Sequence, residues 1–282
     1  MKKKYVVVGI GILLLLCILV VTLNRKTSQT VIKPHKLYIA LGDSVSAGVG
    51  LQDYSDSSAC DRTIEAYPNI VGTNLDLNTQ NISCSGATFA SGILGNQDVN
   101  QLSAQPQLKQ LFVIKNPYLI TLTAGANDIG WTDYIAQCYT GVCGSDADTA
   151  TIDLRLISVA SNLNATLSQI RDHYKTSLPR VLVTGYYQVF PVSTSNCNDI
   201  TGIDQNELSW GRQQQQKLNA TIEQVTTQFS FAKFVAINFS GHELCSADPW
   251  VQGINDSAPY HPTDEGQKAI SQQLISTYKT FK

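Results

Sequence analysis

Apolar residues follow two rhythms along this chain. Short stretches at Leu37–Leu41, Asn78–Ser83, Tyr118–Thr123, Arg180–Thr184 and Phe234–Ile237 read as strands. The most apolar of them lack alternation, as strands covered on both faces do. Between them the period lengthens. From Thr151 to Tyr174, the residues Ile152, Leu156, Val159, Leu163, Leu167, Ile170 and Tyr174 recur every three or four positions. That spacing makes one apolar stripe on a helix. A second helix is expected from Asp204 to about Phe229, with Leu208, Leu218, Ile222, Val225 and Phe229 inward. A last one starts near Thr263 and carries Ala269, Ile270, Leu274 and Ile275. Strands alternating with helices predict an α/β fold, a parallel sheet with helices on both faces. No internal repeat is present, and the run Gln213–Gln216 reads as a solvated helix face.

One apolar run fits neither rhythm. Tyr5 to Leu23 carries no charge and lies between Lys2-Lys3-Lys4 and Asn24-Arg25-Lys26. It is just long enough to span a bilayer as a helix. No Ala-x-Ala-like cleavage site follows it, and Cys17 has Leu15 and Leu16 where a lipidation signal would have small residues. Residues 1–4 are expected as a cytoplasmic basic tip, 5–23 as a transmembrane anchor, 24–35 as a linker and 36–282 as the folded body. Positive charge is denser before the run, which predicts the N-terminus inside and the body outside the cell. The alternative is a signal segment that is cleaved, leaving a secreted body.

Charge sharpens the division. Residues 1–35 hold six Lys/Arg and no acid, and the body holds fourteen basic against twenty-two acidic side chains, a balance of −8. A body of that sign is unsuited to nucleic acid, whose phosphates call for Lys and Arg. Apart from Cys17, six cysteines remain: Cys60, Cys84, Cys138, Cys143, Cys197 and Cys245. An even set in an exported body suggests disulfides. Sequence alone leaves many pairings open, but the order along the chain favours 60–84, 138–143 and 197–245. No Cys-x-x-Cys with His at ligand spacing appears, so a zinc site is not expected.

Candidate chemistry lies where strands end. Tyr38–Leu41 runs into Gly42-Asp43-Ser44, which would place the Ser44 hydroxyl at the carboxyl end of the first strand. Open α/β sheets bind ligands at that end. Cys84-Ser85-Gly86-Ala87-Thr88 follows the second strand, and Gly125-Ala126-Asn127-Asp128 follows the third. Tyr260-His261-Pro262 precedes the last helix. Taken singly, Gly86 reads as a turn residue, Asn127 as a cap and His261 as a packing residue. Taken together they converge on one rim.

This ordered set resembles the SGNH/GDSL hydrolase superfamily over essentially residues 36–282, and most closely its secreted bacterial esterase (lipase-like) branch. That branch carries three disulfides and stretches like Cys84–Thr88 and Gly241-His242-Glu243-Leu244-Cys245. The resemblance implies a three-layer, flavodoxin-like α/β/α sandwich with a five-stranded parallel sheet, and serine ester hydrolysis. Ser44 would be the nucleophile and His261 its base. The Ser44 N–H, the Gly86 N–H and the Asn127 side-chain amide would form the oxyanion hole. No metal or organic cofactor is implied, and the expected partner is an ester of lipid or acylated-glycan type. The sequence carries no signal for an oligomeric state.

The chain departs from the family in one place. Ala258 stands three residues before His261, where many members have Asp, and the nearest Asp is Asp256. The esterase branch orients its imidazole with a main-chain carbonyl, so the Ala258 carbonyl is expected in that role, with Asp256 as the alternative. His242 is a rival base on a disulfide-bound loop, while His173 and His35 lie on a helix and in the linker. Asp43 and Asp128 read as local hydrogen-bonding residues, and Trp131, Tyr134, Trp210 and Trp250 as packing residues or, less simply, an acyl pocket. Two other functions are compatible with the same residues: an O-acyltransferase on an envelope glycan, and a binding module on a retired hydrolase scaffold.

Overall fold

A computed structural model describes residues 36–52, 60–99, 102–193 and 197–281. The expected anchor at 5–23, the linker at 24–35 and Cys17 lie outside these residues. Among the described residues no helix is long and apolar enough to cross a membrane.

In chain order the elements are β1 (Lys36–Gly42), α1 (Ser44–Ala47), α2 (Tyr67–Leu75) and β2 (Leu77–Asn81). A small antiparallel pair follows, β3 (Gln97–Val99) and β4 (Leu102–Ala104), and then α3 (Gln107–Phe112) and β5 (Leu119–Thr123). The next elements are α4 (Ala126–Ile129), α5 (Trp131–Thr140), α6 (Asp146–His173) and β6 (Arg180–Thr184). The last are α7 (Gln205–Thr226), β7 (Ala232–Val235) and α8 (Asp264–Thr280). The main sheet is five-stranded and parallel in the order β2-β1-β5-β6-β7. Right-handed crossovers then send α2 to one face and α6 and α7 to the other. α2 packs on α8, and α6 packs on α7.

The strand order changes direction at β1: the first crossover leads to β2 on one side, and the chain then returns to β5 on the other. That reversal opens a crevice between the carboxyl ends of β1 and β5, the usual ligand position in open α/β sheets. Ser44 follows β1 and Asn127 follows β5, so the topology delivers both to it.

Local chemistry sets the helix ends. α6 begins at a capping box in which the Ser145 side chain accepts from the Asp148 N–H and Asp148 answers to the Ser145 N–H. α7 begins at the same device built from Asp204 and Glu207. Each satisfies two otherwise unpaired N–H groups. The apolar stripe read on α6 is buried along its length, as are Leu208, Leu218, Ile222, Val225 and Phe229 of the α7 region.

Several expectations shift: the second strand is Leu77–Asn81 rather than Asn78–Ser83, and the long helix begins at Asp146 rather than Thr151. The last strand is Ala232–Val235, two residues before the expected Phe234–Ile237. Ile237 and Phe239 are buried in coil past the carboxyl end of that strand, so the apolar run outlasts it. The Gln213–Gln216 run is not simply a solvated face, because Gln214 and Gln215 are buried.

Candidate active site

Gly42 ends β1 at φ 145°, where a Cβ would run into the Thr123 carbonyl oxygen. Only glycine fits so close a backbone approach. The next residue caps α1: an Asp43 carboxylate oxygen accepts from the Val45 N–H at 3.0 Å. Ser44, the first residue of α1, is half-buried, and its Oγ lies 2.8 Å from His261 Nε2. The two are 217 positions apart in sequence.

The other imidazole nitrogen bears on one expectation. His261 Nδ1 lies 3.1 Å from the Pro259 carbonyl oxygen. The Ala258 carbonyl, expected in that role, accepts the main-chain N–H of His261 at 3.2 Å and also acts on the ring. The tight turn from Ala258 to His261 folds the Pro259 carbonyl under the ring. Asp256 is exposed and accepts the Gly253 N–H at 2.7 Å within its own turn. Burial pushes the His261 pKa below its ordinary value, and the Pro259 and Ala258 carbonyls offset part of that shift. The ring is therefore neutral near neutral pH, with a proton on the nitrogen facing Pro259 and a lone pair facing Ser44.

The loop after β2 is tied to the loop after β5. The Asn127 amide donates to the Ala87 carbonyl at 2.9 Å, and the Asp128 carboxylate accepts from the Phe89 N–H at 3.0 Å. Gly86 is exposed beside Ala87, on the left-handed side of backbone space at φ 75°. Gln97 holds the same loop by donating to the Ser85 carbonyl at 2.7 Å.

Two acids in this region are perturbed. Burial raises Asp43 to about 7, against opposing hydrogen bonds from Tyr186 and Val45. Burial also raises Asp128 to about 6, against the Phe89 N–H. The Tyr186 hydroxyl donates to Asp43 and accepts from the Ala126 N–H, so it links the ends of β1, β5 and β6.

Beside Ser44 and His261 runs a cleft lined by Trp131, Ile135, Tyr187, Val189, Leu218 and Tyr260, with Asn127 also on its wall. Of the aromatics considered from sequence, only Trp131 lines it. Tyr134 and Trp210 pack edge to face, with ring centroids 5.4 Å apart. Trp250 stacks on His242, the rival base, at 3.6 Å. His242 Nδ1 lies 2.7 Å from the Asp248 carbonyl, and His173 stacks on Phe112 at 4.3 Å. Neither histidine lines the cleft. Disulfides join Cys60 to Cys84, Cys138 to Cys143 and Cys197 to Cys245. Among the described residues no cluster of His, Cys, Asp and Glu could hold a metal.

Buried glutamines are the part of this site that pattern reading misses. Gln107 accepts the Gly42 N–H and donates to the Gly42 carbonyl, both at 2.8 Å. Gln252 donates to the Pro262 carbonyl at 3.1 Å and accepts the Ala258 N–H at 3.2 Å, bracing the turn that carries His261. Gln267 accepts the Tyr67 N–H and donates to the Val45 carbonyl. Gln215 donates to the Tyr186 carbonyl. A primary amide has the donor and acceptor of a peptide unit, so it completes backbone hydrogen bonding where loops leave the sheet.

A parallel α/β sheet with a serine and a histidine within hydrogen-bond reach at its switch point is an arrangement suited to an α/β hydrolase. The chain belongs to the GDSL-like lipase/acylhydrolase family, whose pattern matches residues 40–269. It is 30% identical over 242 residues to a lipase of Streptomyces rimosus, with 82% of each chain covered. Among solved structures it resembles the extracellular lipase of that organism, at 28% identity and a TM-score of 0.64 over 86% of this chain and 99% of the other. It also resembles a phospholipase A1 from Streptomyces albidoflavus NA297, at 27% identity and a TM-score of 0.66 over the same shares. The protein is a carboxylic ester hydrolase of this family.

Proposed function

We propose that the protein cleaves carboxylic esters through an acyl-enzyme on Ser44, with His261 as general base and then general acid. The 2.8 Å approach of His261 Nε2 to Ser44 Oγ carries this reading. A serine hydroxyl needs a base within hydrogen-bond reach to attack at neutral pH. His261 takes the Ser44 proton as Oγ bonds to the carbonyl carbon. It returns the proton to the departing alcohol, and the cycle repeats with water. The Pro259 carbonyl holds the tautomer, so the site is a dyad with a main-chain third member.

The oxyanion is received by the Ser44 N–H, the Gly86 N–H and the Asn127 amide. Among the described residues neither main-chain group has another partner, and Asn127 keeps one amide hydrogen beyond its bond to Ala87. Losing one such donor costs about 10²–10³ in turnover. The apolar walls of the cleft suit the acyl half of a fatty ester, and the lipase and phospholipase names of its relatives agree with that class. The body works outside the cytoplasm, where its three disulfides persist. Residues 5–23 hold it at the membrane; the mass of the mature N-terminus tests anchor against cleaved leader.

Hydrolysis of p-nitrophenyl esters of increasing chain length tests the assignment. Ser44→Ala and His261→Ala are expected to abolish turnover, and a Ser44→Ala enzyme of undiminished rate overturns the reading. Adding glycan acceptors and following product mass separates hydrolysis from acyl transfer.

A further inference from the structure

We propose that the end of the sheet opposite the cleft is a docking surface for an anionic phospholipid leaflet. The acidic balance of the body is not evenly spread. At the end where strands begin and helices finish stand Lys36, Lys115, Lys175, Arg180, Lys233 and Lys279. All are exposed except Arg180, which is partly buried. The acids at this end are Asp76, Glu223 and Asp172, the last paired with Arg171 at 2.8 Å. This end is therefore net positive on a body of net charge −8.

The bases are interleaved with aromatic and apolar groups. Lys36 Nζ lies 3.8 Å from the Tyr118 ring centroid, and Arg180 donates to the Tyr118 hydroxyl at 2.9 Å. Lys233 sits 5.4 Å from the Phe281 ring. The loops entering β5 and β6 expose Val113 (79%) and Leu178 (46%) beside Lys115 and Lys175. The Tyr174 hydroxyl donates to the Leu111 and Ile114 carbonyls and so holds those two loops together. Bases ringing exposed apolar side chains match a surface of anionic headgroups over acyl chains.

The occupant is further specified by the chain outside the described residues. Thirty-five residues precede Lys36, including the uncharged run Tyr5–Leu23, and they join the body at this basic end. Docked there, the body turns its cleft away from the leaflet, with the sheet, roughly 20 Å long, between them. Its ester is then drawn from the outward side rather than from the lipid beneath it. This orientation rests on the reading of Ser44 and His261 given above; the docking itself does not.

The test uses residues 36–282. The whole described core and all three disulfides lie within that body, and the Streptomyces rimosus lipase is matched over 99% of its own length. The body should co-sediment with vesicles containing phosphatidylglycerol, not with phosphatidylcholine alone, and high salt should release it. Lys115→Glu with Lys175→Glu should weaken binding at least about tenfold. Val113→Ser with Leu178→Ser should weaken it as well. Both pairs should keep the melting temperature and the hydrolysis of a soluble ester. The bound enzyme should hydrolyse the soluble ester without releasing fatty acid from the vesicle. Equal binding to neutral vesicles, no binding, or charge reversal without effect overturns the docking. Equally tight capture by a soluble polyanion also overturns it, and fatty acid released from the vesicle overturns the orientation. A body that binds vesicles but hydrolyses no ester overturns the proposed function and leaves the docking standing.

Discussion

Tyr186 donates its phenolic hydrogen to the buried carboxylate of Asp43, 143 residues earlier in the chain. Its oxygen also accepts the Ala126 N–H at 3.2 Å. One hydroxyl thus aligns the residue beside the nucleophile with the loop that carries Asn127. Tyr186→Phe removes both bonds without opening the packing. We expect a loss of about 1–3 kcal/mol of stability, the usual cost of an unsatisfied buried group. Turnover on a soluble ester should fall roughly tenfold with little change in KM, since Asn127, the proposed oxyanion donor, acts in the transition state. Wild-type kinetics in this variant would show that the link has no part in catalysis.

The same carboxylate gives stability a pH dependence. Burial raises Asp43 from 3.8 to about 7. The folded chain therefore holds a proton between those values that the unfolded chain has lost. Its contribution is complete below about 3.8 and is lost as pH rises through about 7. Asp128, raised to about 6, acts in the same direction over a shorter range. His261 acts oppositely, because its lowered pKa makes the folded state gain stability as pH climbs toward the ordinary imidazole value. Asp43→Asn should flatten the fall in melting temperature between pH 5 and pH 8. A variant with the wild-type slope would place the ionisation elsewhere.

His261 should be indifferent to Asp256. An orienting carboxylate in a Ser-His-Asp triad is worth about 10⁴ in turnover, but here Nδ1 faces the Pro259 carbonyl and Asp256 is bound to Gly253. Asp256→Asn should keep most of the wild-type kcat/KM. The acid limb of its pH profile should stay below the ordinary histidine value, as the buried ring dictates. A loss of about 10³ or more would mean that the carboxylate reaches the ring during turnover.

What was legible in the sequence, and what was not, follows from what produces a pattern. Tyr38–Leu41 and Leu119–Leu122 are covered on both faces, so continuous apolarity marked them. The α6 stripe from Ile152 to Ile170 showed because a helix buries one side. The residues Ser44 and His261 stood out because they sit at element ends beside Gly42 and Pro262. The Pro259 carbonyl, which shares the His261 ring with that of Ala258, was not foreseen, since a main-chain oxygen leaves no trace in side-chain identity. Gln107, Gln252 and Gln267 left no trace either, because a glutamine among polar residues looks the same whether it is solvated or buried against a peptide. Tyr186 was hidden likewise, as an ordinary aromatic after a strand.

Those glutamines should matter to rate more than to binding. Gln252→Leu leaves the Pro262 carbonyl and the Ala258 N–H unpaired around the turn that sets His261. Gln107→Leu leaves the Gly42 N–H unpaired and takes one of two donors from the Gly42 carbonyl, which keeps the Cys84 N–H. Each should cost about 1–3 kcal/mol in urea unfolding. Each should also lower kcat with a nearly constant KM, because the cleft walls are untouched while the reacting pair loses its alignment. Gln213→Leu, on the exposed side of α7, serves as the control and should change neither. Loss of KM alone in the buried variants would assign them to substrate contact instead.

The three disulfides should differ in worth according to the loop each closes. Cross-linking removes freedom from the unfolded chain, and the effect grows slowly with loop length. The 48-residue separation of Cys197 and Cys245 corresponds to about 4 kcal/mol, and the 24-residue separation of Cys60 and Cys84 to about 3.5 kcal/mol. The 5-residue separation of Cys138 and Cys143 corresponds to about 2 kcal/mol. Paired Cys→Ala variants, compared by urea unfolding, should rank in that order. Activity should follow a different order. Cys84 lies two residues before Gly86, and the Ser85 N–H donates to the Cys60 carbonyl at 3.1 Å. The Cys60–Cys84 bridge therefore steadies the loop proposed to hold the oxyanion. Its removal should depress kcat more than removal of the longer Cys197–Cys245 bridge, although it costs less stability. If kcat instead tracked stability across all three variants, the bridges would serve the fold alone.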